Sequence, residues 1–450
     1  ALPIGKLHSY SRDKHRVSRA EISPNAIKVL YKLHNAGYRS CLVGGGVRDI
    51  LLGLHPKDFD IATDASPDQV KQLFRNCRLI GRRFRLAHVL FGREIIEVAT
   101  FRGHHEDKSE QSSIKSDKSN QSQSSSEGMI LRDNVFGSIE EDAIRRDFTI
   151  NALYYDIADF SVMDFCNGME DLNNRLLRMI GDPESRYRED PVRMLRAIRL
   201  AVKLNLQIEK LTAKPLISLS VLLKDIPSAR LWDESHKLFL SGYSAETFAS
   251  LEKYQLLSPI LPQMCEAIER NNNPQFRNFI QSALLNTDNR IQVNKSINPA
   301  FLYSCFLWQS VQDVVAKFQR EGSRPAEAMY KAQAEVLRRQ VETIAIPRRF
   351  TQIVREIWSM QYKLESRRGK NLLSLMQHPQ FRAGYDFLLL RSSIGEVNLS
   401  ICDWWTQIQE ADTEQQTQML LTLAPKHRRG KKTRKKTITT PLASTDGGNS

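Results

Sequence analysis

The sequence predicts an α+β chain, with a mixed sheet and helices in the first half and helices alone in the second. Three observations carry that expectation. Cys41-Leu42-Val43 is a short apolar strand that runs into three glycines, Gly44 to Gly46, and then into a helix, because Val47, Ile50, Leu51 and Leu54 recur at helical spacing. Asp58 to Ala62 and Glu94 to Phe101 alternate with a period of two, as half-buried strands do. From about Arg186 to Ile408 the pattern is amphipathic and helical, with no strand alternation and no fixed repeat.

The order strand, glycine turn, helix, strand implies chemistry. A helix that starts at glycines turns its free N–H groups and positive dipole end toward them, which makes a phosphate seat. Alternation in Asp58-Phe59-Asp60-Ile61-Ala62 puts both aspartates on one face of the following strand. Mg²⁺ is held by one or two carboxylates plus substrate phosphates, and a pair of ions about 3.5–4 Å apart can hold both oxygens of a displacement. Nucleotidyl transfer is the reading, against the plainer one of a glycine turn beside surface aspartates. No G-x-x-x-x-G-K-[ST] occurs, and Asp49 stands where a dinucleotide fingerprint needs its last glycine.

Elsewhere the chain reads as follows. Residues 1–21 are polar and basic without periodicity, and are expected to form a loosely held arm. Ser23-Pro24 and Ser66-Pro67 each open a helix as N-cap and first-turn proline, the first ending near Gly37. Leu79 to Phe91 reads as two strand pieces joined by a basic turn, Arg82 to Arg85. In the strand from Glu94, Ile95, Glu97 and Ala99 face one way, so Glu97 interrupts an apolar face and is a candidate third metal ligand. Residues 104–127 are rich in serine and poor in aliphatics, which predicts a mobile insertion. Ser138 to Glu141 is a capping box, expected to start a helix that runs through Asp156 and sets Asp147 and Asn151 one turn apart. Asp190-Pro191 opens another helix, on which Arg193, Arg196 and Arg199 recur every third residue.

At 450 residues the chain is long enough for two to four domains. No apolar run approaches a membrane span and the first residues lack a signal-peptide core, so a soluble cytoplasmic protein is expected. Six scattered cysteines without C-x-x-C predict buried thiols rather than disulfides or zinc. The net charge of +14 calls for an acidic partner, nucleic acid or an anionic membrane surface. Eight of those charges, Lys426, Arg428, Arg429, Lys431, Lys432, Arg434, Lys435 and Lys436, form a discrete basic arm expected to follow RNA phosphates, and also suited to peripheral membrane contact.

Together LVGGGVRDILLG with KDFDIAT, EVATFR, RRDFTINALYYD and REDPVRMLRAIR resemble the class II nucleotidyltransferase superfamily of CCA-adding tRNA nucleotidyltransferases and bacterial poly(A) polymerases. The match spans roughly residues 22–240, and LIGRRFRLAHVLF is similar to a segment that marks the poly(A) polymerase branch. The resemblance implies a polymerase-β-like head over 22–180, a helical base-binding neck over 181–245, a helical RNA-binding body over 246–408 and a tail over 409–450. It implies that Asp58, Asp60 and Glu97 hold two Mg²⁺, with Mn²⁺ as substitute. Gly44, Gly45 and Arg48 would take the triphosphate with Arg102 and Arg145, Asp147 and Asn151 would contact ribose or phosphate, and Asp190 and Arg193 would read the base.

Base reading has its own logic. Adenine and cytosine both present an amino donor beside a ring acceptor, so a carboxylate next to a guanidinium suits either and leaves groups unpaired against guanine or uracil. The choice between them must lie elsewhere, with the Arg82 to Arg85 turn as candidate. The expected activity is therefore template-independent addition of AMP from ATP to RNA 3′ ends, in messenger and other RNAs, with pyrophosphate released. RNA-decay or RNA-chaperone proteins are the protein partners such an enzyme would have. The rivals are a CCA-adding tRNA nucleotidyltransferase and a non-catalytic RNA-binding protein.

Overall fold

The computed structural model describes residues 6–81, 85–103, 123–124, 130–132, 136–271, 274–367 and 372–423. The first elements are β1 (His8–Tyr10), α1 (Pro24–Asn35), β2 (Ser40–Val43), α2 (Gly45–Leu51), β3 (Asp60–Thr63), α3 (Pro67–Leu73), β4 (Cys77–Ile80), β5 (Leu86–Phe91) and β6 (Glu94–Thr100). A short ribbon of β7 (Gln123–Ser124) and β8 (Ile130–Arg132) precedes α4 (Ile139–Arg145), β9 (Leu153–Asp156), β10 (Val162–Asp164) and α5 (Gly168–Asn173). Apart from the ribbon, these strands form one sheet in the order β1-β10-β9-β2-β3-β6-β5-β4, antiparallel except where β3 runs parallel to β6.

The central strand β2 is buried at all four positions because both faces of the sheet are covered. Leu42 packs into the cluster that holds Val29, Leu30 and Leu33 of α1, whereas Cys41 and Val43 join Phe101, Tyr154 and Phe165 on the other side. Burial of each such leucine contributes about 1.5–3 kcal/mol. Helix α1 starts where the sequence says: the Ser23 hydroxyl accepts the N–H groups of Asn25 and Ala26, and Pro24 fills the first turn. Capping boxes at Ser66/Gln69 and Ser138/Glu141 start α3 and α4.

The chain goes on with β11 (Leu176–Leu177), α6 (Pro183–Glu189), α7 (Val192–Lys203), β12 (Gln207–Ile208), α8 (Lys210–Ala213), α9 (Leu216–Leu219) and α10 (Ser228–Phe239). Next come α11 (Ser244–Lys253), α12 (Pro262–Asn271), α13 (Pro274–Gln292), α14 (Pro299–Phe306), α15 (Trp308–Arg320) and α16 (Pro325–Thr343). The described chain ends with α17 (Arg348–Ser366), α18 (Leu372–Met376), α19 (Phe381–Ser393), α20 (Leu399–Glu410) and α21 (Thr413–Leu423). One apolar cluster runs from α1 through α7 and α14 to Phe387 of α19, so the mixed-sheet head and the helical body share a continuous core. All six cysteines are free thiols and five are buried, as their apolar settings predict.

Three expectations need correction. The helix from Ser138 stops at Arg145; a 3₁₀ turn over Thr149–Asn151 and the fully buried strand β9 replace the rest. The Asp147 carboxylate takes the Phe148 N–H at 2.8 Å, a local bond that competes with the helix, and β-branched and aromatic residues then favour the sheet. The N-terminal arm is held rather than loose from His8 on: β1 pairs with β10, Val17 is fully buried, and the Arg19 guanidinium lies 4.6 Å from the centre of the Phe160 ring. After Arg186 the chain is not wholly helical, since β12 pairs in parallel with β11. The turn residues Arg82 to Phe84, the serine-rich stretch 104–127 apart from Gln123–Ser124, and the tail from 424 on, with the basic segment 426–436, lie outside the described residues.

Candidate active site

Gly44 closes β2 and caps α2 with φ of +67°, a conformation that side chains rarely adopt, and a Cβ there would stand 3.3 Å from a terminal nitrogen of Arg146. Gly45 begins the helix. Arg48, one turn further, is only 6 % exposed and donates to Asn151 Oδ1 at 2.6 Å and to Asp49 Oδ1 at 2.5 Å. The arginine expected on the triphosphate is thus a brace between α2 and the turn that carries Asn151.

The carboxylates assemble by register. Asp60 opens β3 and lies directly across from Glu97 of the parallel strand β6. Phe59 and Ile61 point into the core while Asp58 and Asp60 face outward, so the predicted alternation holds although the strand starts two residues later than expected. Although Asp60 faces outward, desolvation by the protein crowded around its carboxyl, then the negative charges of Glu97 and Asp58, push it up to about 6 against the pull of Arg146. Three outward or strand-paired carboxylates offer only oxygen donors, the ligand set of Mg²⁺. Among the described residues no three His, Cys, Asp or Glu side chains already converge as a closed metal site. Beside Glu97, His88 of β5 stands opposite it in the sheet, with Nε2 3.4 Å from Oε1.

Next to these strands a cavity of about 280 Å³ is walled by guanidinium groups. Arg102, Arg145 and Arg193, all expected at the nucleotide, line it together with Asp147 and Asp190. Asp147 is buried with every acceptor used: Oδ1 takes the N–H of Phe148 and the Asn151 amide at 3.0 Å, and Oδ2 takes Arg196 at 2.6 Å. Burial alone would raise its pKa, but Arg196 and Asn151 outweigh it and hold the carboxyl far below the usual range. Asn151 links Arg48 to Asp147 and stays out of the cavity wall, so Asp147 and Asn151 support the site rather than line up along a helix.

Asp190 and Arg193 share the cavity but do not pair with each other. Arg193 donates to Glu189 Oε2 at 2.8 Å and to the Arg186 carbonyl at 2.7 Å; Asp190 Oδ2 accepts from Arg230 at 2.7 Å. The arginine stripe of α7 is therefore not a solvated face, because Arg193, Arg196 and Arg199 each have a carboxylate: Glu189, Asp147 and Glu234. Arg85, the described end of the basic turn, pairs at 3.5 Å with the exposed Asp68 of α3.

Several residues of this region escaped the sequence. Arg146 donates to Asp142 and to the Tyr154 hydroxyl, and Arg186 donates to the carbonyls of Arg145 and Arg146 at 2.7 Å each, tying α6 to the end of α4. Burial and the charge of Arg193 lower Arg186 to about 10. Arg146 could have been found in the doublet before Asp147. Arg230 lies 40 residues from its partner with no local signal.

Comparison with known proteins places this geometry. Residues 40–178 match the poly A polymerase head domain, residues 205–268 the probable RNA- and SrmB-binding site of polymerase A, and residues 321–438 its arginine-rich C-terminus. Poly(A) polymerase I of Salmonella typhimurium is 49 % identical over 428 residues, covering 93 % of this chain and 90 % of the relative. That of Haemophilus influenzae is 43 % identical, covering 91 % of each. A CCA-adding enzyme of Lactobacillus helveticus is 36 % identical over 225 residues, half of either chain (50 % and 51 %). Among solved structures, a tRNA-processing enzyme in an apo form shares the fold with a TM-score of 0.57 at 21 % identity, over 90 % of this chain and 97 % of that one. A tRNA nucleotidyltransferase complexed with a primer tRNA and an incoming ATP analog gives 0.54 at 22 %, over 85 % and 98 %. Near-full coverage by the first relatives, on a mixed-sheet head with a helical body, shows that the chain belongs to the poly(A) polymerase I family of nucleotidyltransferases.

Proposed function

We propose that this site joins AMP from ATP to RNA 3′ ends without a template, and that Asp58, Asp60 and Glu97 are its metal-holding carboxylates. The 3′-hydroxyl oxygen bonds to the α-phosphorus and gives up its proton to solvent, the bond from that phosphorus to the α,β-bridging oxygen breaks, and pyrophosphate leaves with the electron pair. The observation that carries the reading is the pairing of Asp60 with Glu97 on adjacent parallel strands, one strand from the glycine turn. When bound there, Mg²⁺, or Mn²⁺ in its place, would neutralise charge on the attacking and leaving oxygens.

The chain's own contribution is orientation and charge. Arg102, Arg145 and Arg193 converge on a cavity sized for part of a nucleotide, where Arg102 and Arg145 neutralise phosphate. Asp190 and Arg193, each fixed by a second partner, present one acceptor and one donor to the base edge. Gly44 and Gly45 let the backbone approach the triphosphate. RNA and ATP are the substrates, in keeping with the primer and ATP analog of the structural relative. The head, neck, body and tail boundaries at 180, 245 and 408 remain part of this reading. So do the cytoplasmic setting, contacts with RNA-decay or RNA-chaperone proteins, and membrane contact through the basic tail. No described helix is long and apolar enough to cross a membrane.

Sequencing the product made on an unstructured RNA with all four nucleotides tests the proposal. A run of A from ATP alone is expected. Addition confined to tRNA and ending after two C and one A would replace it with the CCA-adding reading, and no pyrophosphate release at all would favour a non-catalytic RNA-binding protein.

A further inference from the structure

Far along the chain from the nucleotide cavity, a second hollow of about 860 Å³ opens in the body, among the C-terminal half of α13, the loop before α14, and α19. Its volume is that of small-molecule sites, about 300–1,000 Å³. None of its lining residues belongs to the active site or to residues 205–268, the stretch matched to RNA binding. One wall is apolar, with Phe301, Leu389 and Leu390; the rim is rich in amides, including Asn289 and Asn298. Arg290 and Arg382 supply two positive charges.

Asp386 sets the chemistry. Its side chain is 28 % exposed, and its partner is Arg382, one turn away and 70 % exposed, with Nε 3.0 Å from Oδ1 and 3.3 Å from Oδ2. Burial raises its pKa even with Arg382 and Arg290 pulling the other way. Arg290 is anchored through one nitrogen to the Ser296 carbonyl at 2.9 Å. An apolar wall, a half-buried acceptor beside a donor, and two guanidiniums are complementary to a base face, an amino-bearing base edge and a phosphate.

We propose that this hollow is a second RNA site that takes one adenylate of a single strand, with the base on Phe301 and Leu389, its amino group toward Asp386 and its phosphate toward Arg290 and Arg382. Uracil would turn a carbonyl to the carboxylate and is disfavoured. The choice of adenine over cytosine rests on the polyadenylation reading, because the growing product is the strand at hand. A site in the body that holds the tail would keep the newly made strand on the enzyme between additions.

The test uses the full chain without ATP, with oligo(A) and oligo(U) of about 15 nucleotides, near the upper site size of single-strand binders. Asp386→Asn keeps the shape and is expected to weaken oligo(A) about 5–10-fold while oligo(U) stays within about twofold, as for loss of one charged hydrogen bond. Arg290→Gln should weaken both alike. Oligo(A) should protect residues 282–290 and 382–390 of the unaltered protein from hydrogen exchange, which tests the site whether or not a variant folds. In Asp386→Asn, equal loss for both oligomers or no loss in either, and in the unaltered protein no protection, would overturn the proposal. Protection by 5′-AMP as strong as that by oligo(A) would overturn the RNA assignment in favour of a free nucleotide. Pyrophosphate release at the active site is independent of this hollow, so a CCA-terminated product would count against the polyadenylation reading and leave the binding result to be judged alone.

Discussion

Asp147 of the head and Arg196 of α7 form an ion pair at 2.6 Å, and the Asp147 side chain is only 10 % exposed. The pair fastens α7 to the turn that also carries Asn151 and, through it, Arg48. Arg196→Ala would leave a buried carboxylate with two neutral hydrogen bonds. Breaking a fully buried pair costs about 3–5 kcal/mol, and the 35 % exposure of Arg196 reduces the expectation to about 2 kcal/mol. Because Asp147 is held below the ordinary aspartate value, its contribution is present above pH about 4 and is lost as pH falls through the folded value. Urea unfolding should show the deficit of Arg196→Ala in full at pH 7 and a smaller one at acid pH; a deficit that grows on acidification would contradict the pairing.

Asp60 makes the opposite prediction. Its folded pKa is raised to about 6, so metal-free protein loses stability as pH rises from the unfolded value near 4 through 6, and above that the cost is complete. Asp60→Asn removes that charge. In chelator at neutral pH the variant is expected to melt higher than the unaltered protein, and its AMP incorporation to fall by at least ~10³ when Mg²⁺ is restored. RNA affinity should not change. A variant that is less stable, or one that polyadenylates at near-normal rate, would remove Asp60 from the metal-holding role.

These two residues differ in how far the sequence exposed them. Asp60 was legible because a strand has a strict period of two, so Phe59 and Ile61 buried means Asp58 and Asp60 outward, and the same rule oriented Glu97. Asp147 was placed near the nucleotide but on a helix, since the spacing of Ile144, Phe148 and Ala152 satisfies helical geometry and nothing local announces that the next residues fill a gap between β2 and β10. Tertiary demand for a strand overrode the pattern. The carboxylates that hold Arg193 and Arg199, and the Arg230 that holds Asp190, are matters of side-chain pairing between elements and leave no periodic trace. Pairing of β1 with β10 was hidden for a similar reason: three residues are too few to show alternation.

The basic segment Lys426 to Lys436 falls within the arginine-rich C-terminal match and carries eight of the chain's cations. If most of them touch single-stranded RNA, deleting residues 426–436 should reduce the slope of log affinity against log salt by up to roughly 5, at about 0.7 per phosphate contact. The loss should be the same for oligo(A) and oligo(U), which separates it from the sequence-dependent loss at Asp386. An unchanged slope would make the segment a bystander in RNA binding.

Base selection depends on how Asp190 and Arg193 are held. Arg193 is fixed by Glu189 and the Arg186 carbonyl, so its remaining donors point from a rigid support; the adenine ring nitrogen accepts from it where guanine turns an N–H donor to the same place, and Asp190 accepts from the adenine amino group where guanine offers a carbonyl. Arg230 holds that carboxylate in place through Oδ2. Arg193→Ala should therefore narrow the ATP-over-GTP ratio in kcat/KM by ~1–3 kcal/mol, the range for a charged hydrogen bond lost in a specificity site. Arg230→Ala leaves the reading pair intact but lets Asp190 swing, so it should narrow the same ratio by less and raise KM for ATP. Unaltered discrimination with weaker RNA binding in Arg193→Ala would move that residue from base reading to phosphate contact. Unaltered discrimination in Arg230→Ala alone would mean that the Val192 N–H, 3.3 Å from Oδ1, suffices to orient Asp190.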